Sequence, residues 1–408
     1  MIFDSESVFE ENVITVLKQH GWKDGVLRYP TERDLLDNWK GILYRNNNDI
    51  DRLGKYPLTD GEMTQIIEQI ETLRTPLALN SFVNGRTVSI TRDNKEDVAH
   101  FGKEVSLYIY DRKEIAGGKS TYQIAQQPVY PAKNKMLNSR RGDLVLLING
   151  MPLIHIELKK SGIPVSQATN QIEKYAHEGV FTGLFRLVQI FVAMNPDDAV
   201  YFANPGVDKF NPSYYFHWAD YNNEPICGGQ NPGKDEWKLF IGGTSGTAGL
   251  LSIPMAHQLI GFYTIADSAD GCLKVLRSYQ YIAANAISDV VRKCDWEQRP
   301  SMPGRPGGYV WHTTGSGKTM TSFKSAQLIA DSHDADKVVF LIDRIELGTQ
   351  SLKEYRSFAD SETEVQGTEN TGVLRDKLNS TNVNDTLIVT SIQKMSNVKT
   401  GERGVTQT

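Results

Sequence analysis

Cysteine is nearly missing from this sequence. Cys227, Cys272 and Cys294 are the only three among 408 residues, they lie far apart, and none belongs to a C-x-x-C pair. That excludes a disulfide scaffold and a thiolate zinc site, and leaves the reading of reduced, structural cysteines. Long apolar runs are lacking as well, since no stretch approaches the ~20 residues that span a bilayer. The amino terminus, MIFDSESVFEENV, carries acids where a secretion signal has a basic region and an apolar core. Together these absences predict a cytoplasmic, soluble protein with no membrane partner. There is no excess of positive charge either: the net charge is −5, so any nucleic-acid contact must come from local grooves rather than from the whole surface. No internal repeat or low-complexity tract interrupts the chain. No zinc finger or recognition helix that would read a base sequence is visible.

What is present is ordinary and globular, with 39% hydrophobic and 23% charged residues over a length that suggests two or three domains. Phe9, Val13, Val16 and Leu17 recur at helical spacing between Ser7 and His20, and Gly21 follows as a stop signal. β-Branched and aromatic residues in VSLYIY (105–110) and YQIAQQPVY (122–130) predict strands. Pro164 to Ala176 reads as a helix entered through a proline, and RLVQIFVAMN (186–195) as a buried strand. Gly, Ser and Thr cluster in FIGGTSGTAGLLS (240–252), where a domain junction is expected. Beyond it, LKVLRSYQYIAANAISDVVRK (273–293) reads as helix, and short apolar strands alternate with helical stretches in a parallel βαβ pattern.

Within that second region, HTTGSGKT (312–319) follows a short apolar strand, Tyr309 to Trp311, and precedes a helix from Lys318 to Ala330. Phosphate binding needs backbone N–H groups turned inward at a helix amino terminus, and the small residues Thr314, Gly315, Ser316 and Gly317 allow it. Lys318 would reach the β- and γ-phosphates of ATP, and Thr319 would ligate Mg²⁺. His312 stands where the strict pattern has glycine.

Asp143 to Lys160, DLVLLINGMPLIHIELKK, reads as two apolar strands around Asn149-Gly150, with charges at the outer ends only. Cutting a phosphodiester with Mg²⁺ needs carboxylates to hold the metal and a cation to stabilise developing charge. Asp143, Glu157 and Lys159 supply that set. Strand alternation points Glu157 and Lys159 the same way and Leu158 into the core, with the Leu158 carbonyl as a possible third oxygen. A strict two-residue turn would set Asp143 opposite Ile156 and put Glu157 on the wrong face. An odd loop or a bulge is therefore expected, with Gly150 left-handed. QATNQIEKY then places Gln171 and Tyr175 on one helical face. Glu6 or Glu10 of the opening helix could face this site, but solvation is the expectation for both.

TGSGKT, LIDRIEL and VTSIQK resemble motifs I, Ia and Ib of superfamily-two helicases, and RSYQ (277–280) resembles their Q motif. That resemblance implies adenine recognition by Gln280 with Arg277 nearby, and DNA-backbone contacts from Arg344, Thr390, Ser391 and Gln393 on the sheet edge. An acidic DEAD or DEAH box is lacking between Gln393 and Thr408, so the sequence reads as an amino-terminal fragment with an incomplete ATPase.

The hairpin with QIEKY resembles the PD-(D/E)xK nuclease core and Q-x-x-x-Y element of the motor subunit of type I restriction enzymes, although Gly142 stands where the motif name has proline. FHWADYNNEPI, RSYQ and WHTTGSGKT extend that resemblance through the chain. It implies a PD-(D/E)xK nuclease-like mixed sheet with flanking helices over 1–245, a linker at 246–270, and a partial RecA-like parallel α/β helicase domain over 271–408. Asp143 and Glu157 become Mg²⁺ ligands and Lys159 the catalytic cation. Gln171 and Tyr175 bind DNA phosphate or orient the site. The implied activity is ATP-dependent cleavage of double-stranded DNA, alongside methyltransferase and specificity subunits. The competing readings are a helicase carrying an inactive nuclease-like DNA-binding clamp, a type III restriction subunit, whose nuclease would follow its motor, and a nucleotide-gated module without nucleic acid.

Overall fold

In the computed structural model of the chain, the described residues are 2–115, 117–131, 140–229, 235–294, 307–343, 345–359 and 364–398, with the side chains of 344–349 left aside. Two compact units emerge: Met1–Ile265 with Gly271–Ser278, and Ala266–Asp270 with Tyr279–Thr408.

The first unit opens with α1 (Glu6–Gln19), capped by Ser5 and followed by Gly21 at φ +108°, and its apolar stripe Phe9, Val13, Val16 and Leu17 is buried. After β1 (Val26–Arg28) come α2 (Glu32–Asn46) and α3 (Asp60–Thr72), each opened by a threonine capping box, then α4 (Pro76–Asn84). β2 (Thr87–Thr91) and β3 (Glu104–Tyr108) pair only with each other, so VSLYIY does not join the central sheet. That hairpin is held by Arg92, whose fully buried guanidinium meets Glu62 at 2.7 Å and Asp97 at 3.0 Å.

The central sheet contains β4 (Tyr122–Gln126), β5 (Leu144–Ile148), β6 (Met151–Leu158), β7 (Ile190–Met194) and β8 (Ala199–Ala203), with α5 (Val165–His177) between β6 and β7. Its order is β1-β4-β5-β6-β7-β8. It is mixed: β1/β4 and β6/β7 run parallel, and the other three pairs antiparallel. Every residue of β5 and β6 is buried, which accounts for a sequence that is apolar throughout β5 and broken in β6 only by His155 and Glu157. α5 packs Ala168 and Ile172 on Phe191, Ala193, Val200 and Phe202.

The segment 240–252 lies within the first unit, and 246–270 holds α7 (Met255–Gly261) and all of β9 (Thr264–Asp267), after α6 (Glu236–Gly242). The expected helix at 273–293 begins instead with β10 (Cys272–Val275), where alternating burial gives strand periodicity, before α8 (Ser278–Lys293). No described helix is long and apolar enough to cross a membrane.

The second unit carries α9 (Lys318–Ser332), β11 (Val338–Ile342), α10 (Ile345–Phe358), β12 (Val365–Gly367), α11 (Thr371–Asn379), β13 (Leu387–Ser391) and α12 (Ile392–Ser396). Its sheet is parallel, ordered β11-β13-β12, and Phe323, Tyr355 and Val389 sit in its core. The expected strand at Tyr309–Trp311 does not form. Tyr309 and Trp311 are 90% and 87% exposed, and no described strand lies beside them to take up their backbone groups.

Candidate active site and phosphate loop

Asn149 and Gly150, at φ +52° and +84°, form a two-residue turn pairing Ile148 with Met151. By itself this register would leave Asp143 opposite Ile156. One extra residue on β6 changes it: Leu147 pairs with Pro152 but Leu146 with Ile154, so Leu153 is a bulge. The ladder then sets Leu144 opposite Ile156, and the next step out brings Asp143 to Glu157.

Asp143 is fixed at both ends of the residue. Its carbonyl accepts the Gln127 N–H at 2.7 Å, and its Oδ2 accepts the Leu158 N–H at 2.7 Å. Glu157 is fully buried, and neither carboxylate oxygen has a hydrogen-bond partner. Burial pushes both carboxyl groups up to about 8, and Glu157 beside Asp143 adds to the rise of Asp143. Lys159 donates its main-chain N–H to Met194 at 2.9 Å, and its ammonium lies 3.6 Å from both Glu157 Oε1 and Glu6 Oε1. The ammonium also donates to the Leu158 carbonyl at 2.9 Å, occupying one lone pair of that oxygen.

Glu10 overturns the expectation of solvation. It is 3% exposed, accepts hydrogen bonds from Gln126 and Gln127, and is pushed up mainly by burial, with the Asp143 charge adding to it. An acid on an amphipathic helix reads as solvent-facing until the partner strand is known, and the two consecutive glutamines of YQIAQQ were the available signal. Gln171 donates to the Tyr175 hydroxyl at 2.6 Å, which donates to the Arg141 carbonyl at 2.9 Å. This pair therefore grips the chain two residues before Asp143. Burial, then Glu157, pushes the Tyr175 phenol up, keeping it a donor.

Two carboxylates side by side, one with both oxygens buried and unpaired, suit a hard divalent cation. Among the described residues, no group of three or more His, Cys, Asp or Glu converges as a metal site.

In the second unit Gly315 and Gly317 sit at φ +77° and +81°, and α9 begins at Lys318. The Tyr279 hydroxyl donates to the Ser316 carbonyl at 2.8 Å, and Gln280 donates to the Gly317 carbonyl at 3.2 Å. His312 Nδ1 lies 2.8 Å from Ser316 Oγ, so the residue that departs from the strict pattern braces the loop. Lys318 donates to the Thr313 carbonyl at 3.3 Å, while Thr314 is exposed at the loop tip and Thr319 lies in the first turn of α9. Arg277 lies in the first unit with its guanidinium 4.4 Å over Phe216. Thr390 and Ser391 end β13, the middle strand rather than an edge. Thr390 Oγ1 accepts from Thr368 at 2.8 Å, Ser391 caps α12, and Gln393 donates to the Asp343 carbonyl at 3.0 Å. Arg344 lies outside the described residues.

The chain thus joins a buried carboxylate pair on a mixed sheet to a phosphate-loop unit, and comparison with known proteins finds a family match for each of the two regions. Residues 4–210 match the family described as type I restriction enzyme R protein N terminus, and residues 279–407 match that described as SWI2/SNF2 ATPase. The chain belongs to the type I restriction enzyme R protein family. It is 32% identical over 404 residues to the type I restriction enzyme SsaAORF53P endonuclease subunit of Staphylococcus saprophyticus, covering 97% of this chain and 37% of that protein. It is 33% identical over 398 residues to the SauMSSORF170P endonuclease subunit of Staphylococcus aureus, with the same two coverages. The EcoprrI endonuclease subunit of Escherichia coli is 28% identical over 321 residues, 76% of this chain and 90% of that protein. The chain thus spans 37% of the length of its staphylococcal relatives.

Proposed function

We propose that this chain carries the Mg²⁺-dependent nuclease and the nucleotide-binding part of the motor of a type I restriction endonuclease, cutting double-stranded DNA in a complex with methyltransferase and specificity subunits. The observation that carries the proposal is the juxtaposition of Asp143 and Glu157 by the Leu153 bulge, with both Glu157 oxygens buried and unpaired. On this reading residues 1–245 form a PD-(D/E)xK nuclease, 246–270 connect it onward, and 271–408 belong to a RecA-like translocase domain.

Asp143 and Glu157 would hold Mg²⁺, which when bound supplies Lewis-acid stabilisation of phosphate charge. Lys159 brings a cation to the same pocket, 3.6 Å from Glu157, where it can balance negative charge on the scissile phosphate. Glu10, Gln126 and Gln127 form the wall beside Asp143. Gln171 and Tyr175 orient the strand that carries Asp143 through the Arg141 carbonyl. Thr314 to Thr319 would cradle the phosphates of ATP, with Lys318 as their cation and Thr319 on its Mg²⁺. Gln280 reaches that loop from α8, and Gln280 with Arg277 would recognise the adenine. Thr390, Ser391 and Gln393, at the carboxyl end of β13 and the start of α12, and Arg344 are the proposed DNA contacts of the motor.

Plasmid cutting by the complete complex tests this reading. Glu157→Ala and Lys159→Ala should each abolish Mg²⁺-dependent cutting and leave ATP turnover intact. Persistent cutting in both variants would favour the alternative, an inactive nuclease-like clamp serving a helicase.

A further inference from the structure

We infer that Tyr130 and His155 form a fixed hydrogen-bond relay that presents one N–H, on His155 Nε2, to the Glu157 carboxylate, making His155 a positioning residue of the cleavage site. The inference rests on the reading of Glu157 as a metal ligand.

His155 stands two residues before Glu157 on β6, so both side chains leave the same face of the strand. The imidazole is fully buried, with Tyr175, Phe181 and Phe191 edge-on around it. Such a cage leaves the ring little freedom to turn. The Tyr130 hydroxyl lies 2.8 Å from His155 Nδ1, its one hydrogen-bond partner among the described residues. A buried phenol must place its hydrogen on an acceptor, and Nδ1 accepts only when it carries no hydrogen itself. The ring hydrogen therefore resides on Nε2.

Nε2 is 3.3 Å from Glu157 Oε2. The two atoms are within reach but not aligned as a hydrogen bond, and each is buried with no other partner. An unpaired donor beside an unpaired acceptor is costly in a dry interior, and a small turn of the Glu157 carboxylate satisfies both. With Oε2 held by the histidine, Oε1 is the oxygen left on the Lys159 side.

An independent observation comes from Gly142. A Cβ there would lie 2.5 Å from the Tyr130 hydroxyl oxygen and 2.9 Å from His155 Cε1. The residue just before Asp143 thus lacks a side chain where the relay needs the space, and proline would collide at the same point.

The test uses the whole chain labelled with [¹⁵N]histidine, where the signal lost in His155→Gln identifies His155. The expected spectrum shows the Nε2–H tautomer in the wild type and a mixture in Tyr130→Phe; a wild-type Nδ1–H tautomer would overturn the relay. Titration with Mn²⁺ alone supplies the second arm. His155→Leu should bind about tenfold more weakly, as expected for loss of a residue behind a ligand, whereas His155→Gln keeps an N–H donor and should recover most of the affinity. Unchanged Mn²⁺ affinity in His155→Leu, when Glu157→Gln abolishes binding, would overturn the positioning role. Unchanged affinity in Glu157→Gln would instead refute the metal reading and the positioning role together, whatever the tautomer.

Discussion

The main-chain N–H of Leu158 donates to Asp143 Oδ2 across 2.7 Å, closing the open end of the β5–β6 hairpin with a side chain. The bond fastens the start of one strand to the end of the other. It exists because Leu153 is an extra residue on β6; without that bulge Asp143 would face Ile156, and Glu157 would project to the opposite side.

Gly150 anchors the other end of the hairpin. It sits at φ +84°, and a Cβ there would come 2.9 Å from Trp39 Cα. Gly150→Ala should therefore lower stability by about 1–3 kcal/mol, seen as a lower urea midpoint. An unchanged midpoint would mean that the turn relaxes freely.

Glu157 makes stability depend on pH. In the fold its carboxyl keeps a proton up to about 8, whereas an unfolded glutamate loses it near ~4.3. Between those values the folded state binds more protons, so this group's contribution is full below about 4 and is lost as pH rises toward 8. Without divalent cations, Glu157→Gln should gain on the wild type by about 1–3 kcal/mol between pH 5 and pH 8 in urea unfolding. A gap that narrows or reverses over that range would contradict the raised value.

Arg92 provides a prediction away from the site. Its buried guanidinium is shared by Glu62 and Asp97, and Arg92→Met would leave two buried carboxylates without their cation. A loss of about 3–5 kcal/mol is expected in the unfolding of the first unit. A loss below about 1 kcal/mol would show that water replaces the arginine at little cost.

Lys318 separates the two units functionally. Lys318→Ala should weaken binding of a fluorescent ATP analogue at least tenfold, because the loop loses its phosphate-facing cation. Mn²⁺ binding in the absence of nucleotide should stay unchanged. If both fell together, the variant would have disturbed more than the phosphate loop.

Local pattern made the hairpin legible. Two apolar runs, an Asn-Gly turn and charges confined to the ends required an extra residue somewhere, and the structure places it at Leu153. α1 and α5 were legible from spacing and punctuation. Glu10 was not, because its burial depends on Gln126 and Gln127 arriving from a distant strand. The strand expected at Tyr309–Trp311 failed for a related reason: apolar sequence favours extension, but a strand needs a neighbour for its backbone groups. Likewise, the chain at 273–275 reads as helix from composition, yet β10 pairs with β9. Loop contacts such as Tyr279 with Ser316 depend on tertiary approach and leave no periodic trace.

Calorimetric titration of Mg²⁺ into the nucleotide-free chain at pH 7, repeated in buffers of different ionisation heat, tests the shared metal site most directly. Asp143 and Glu157 hold protons to about 8, and a divalent cation must displace them. The expected result is one ion per chain with proton release, both lost in Asp143→Asn. Binding without proton release, or binding unaffected by Asp143→Asn, would contradict a metal held between these two carboxylates.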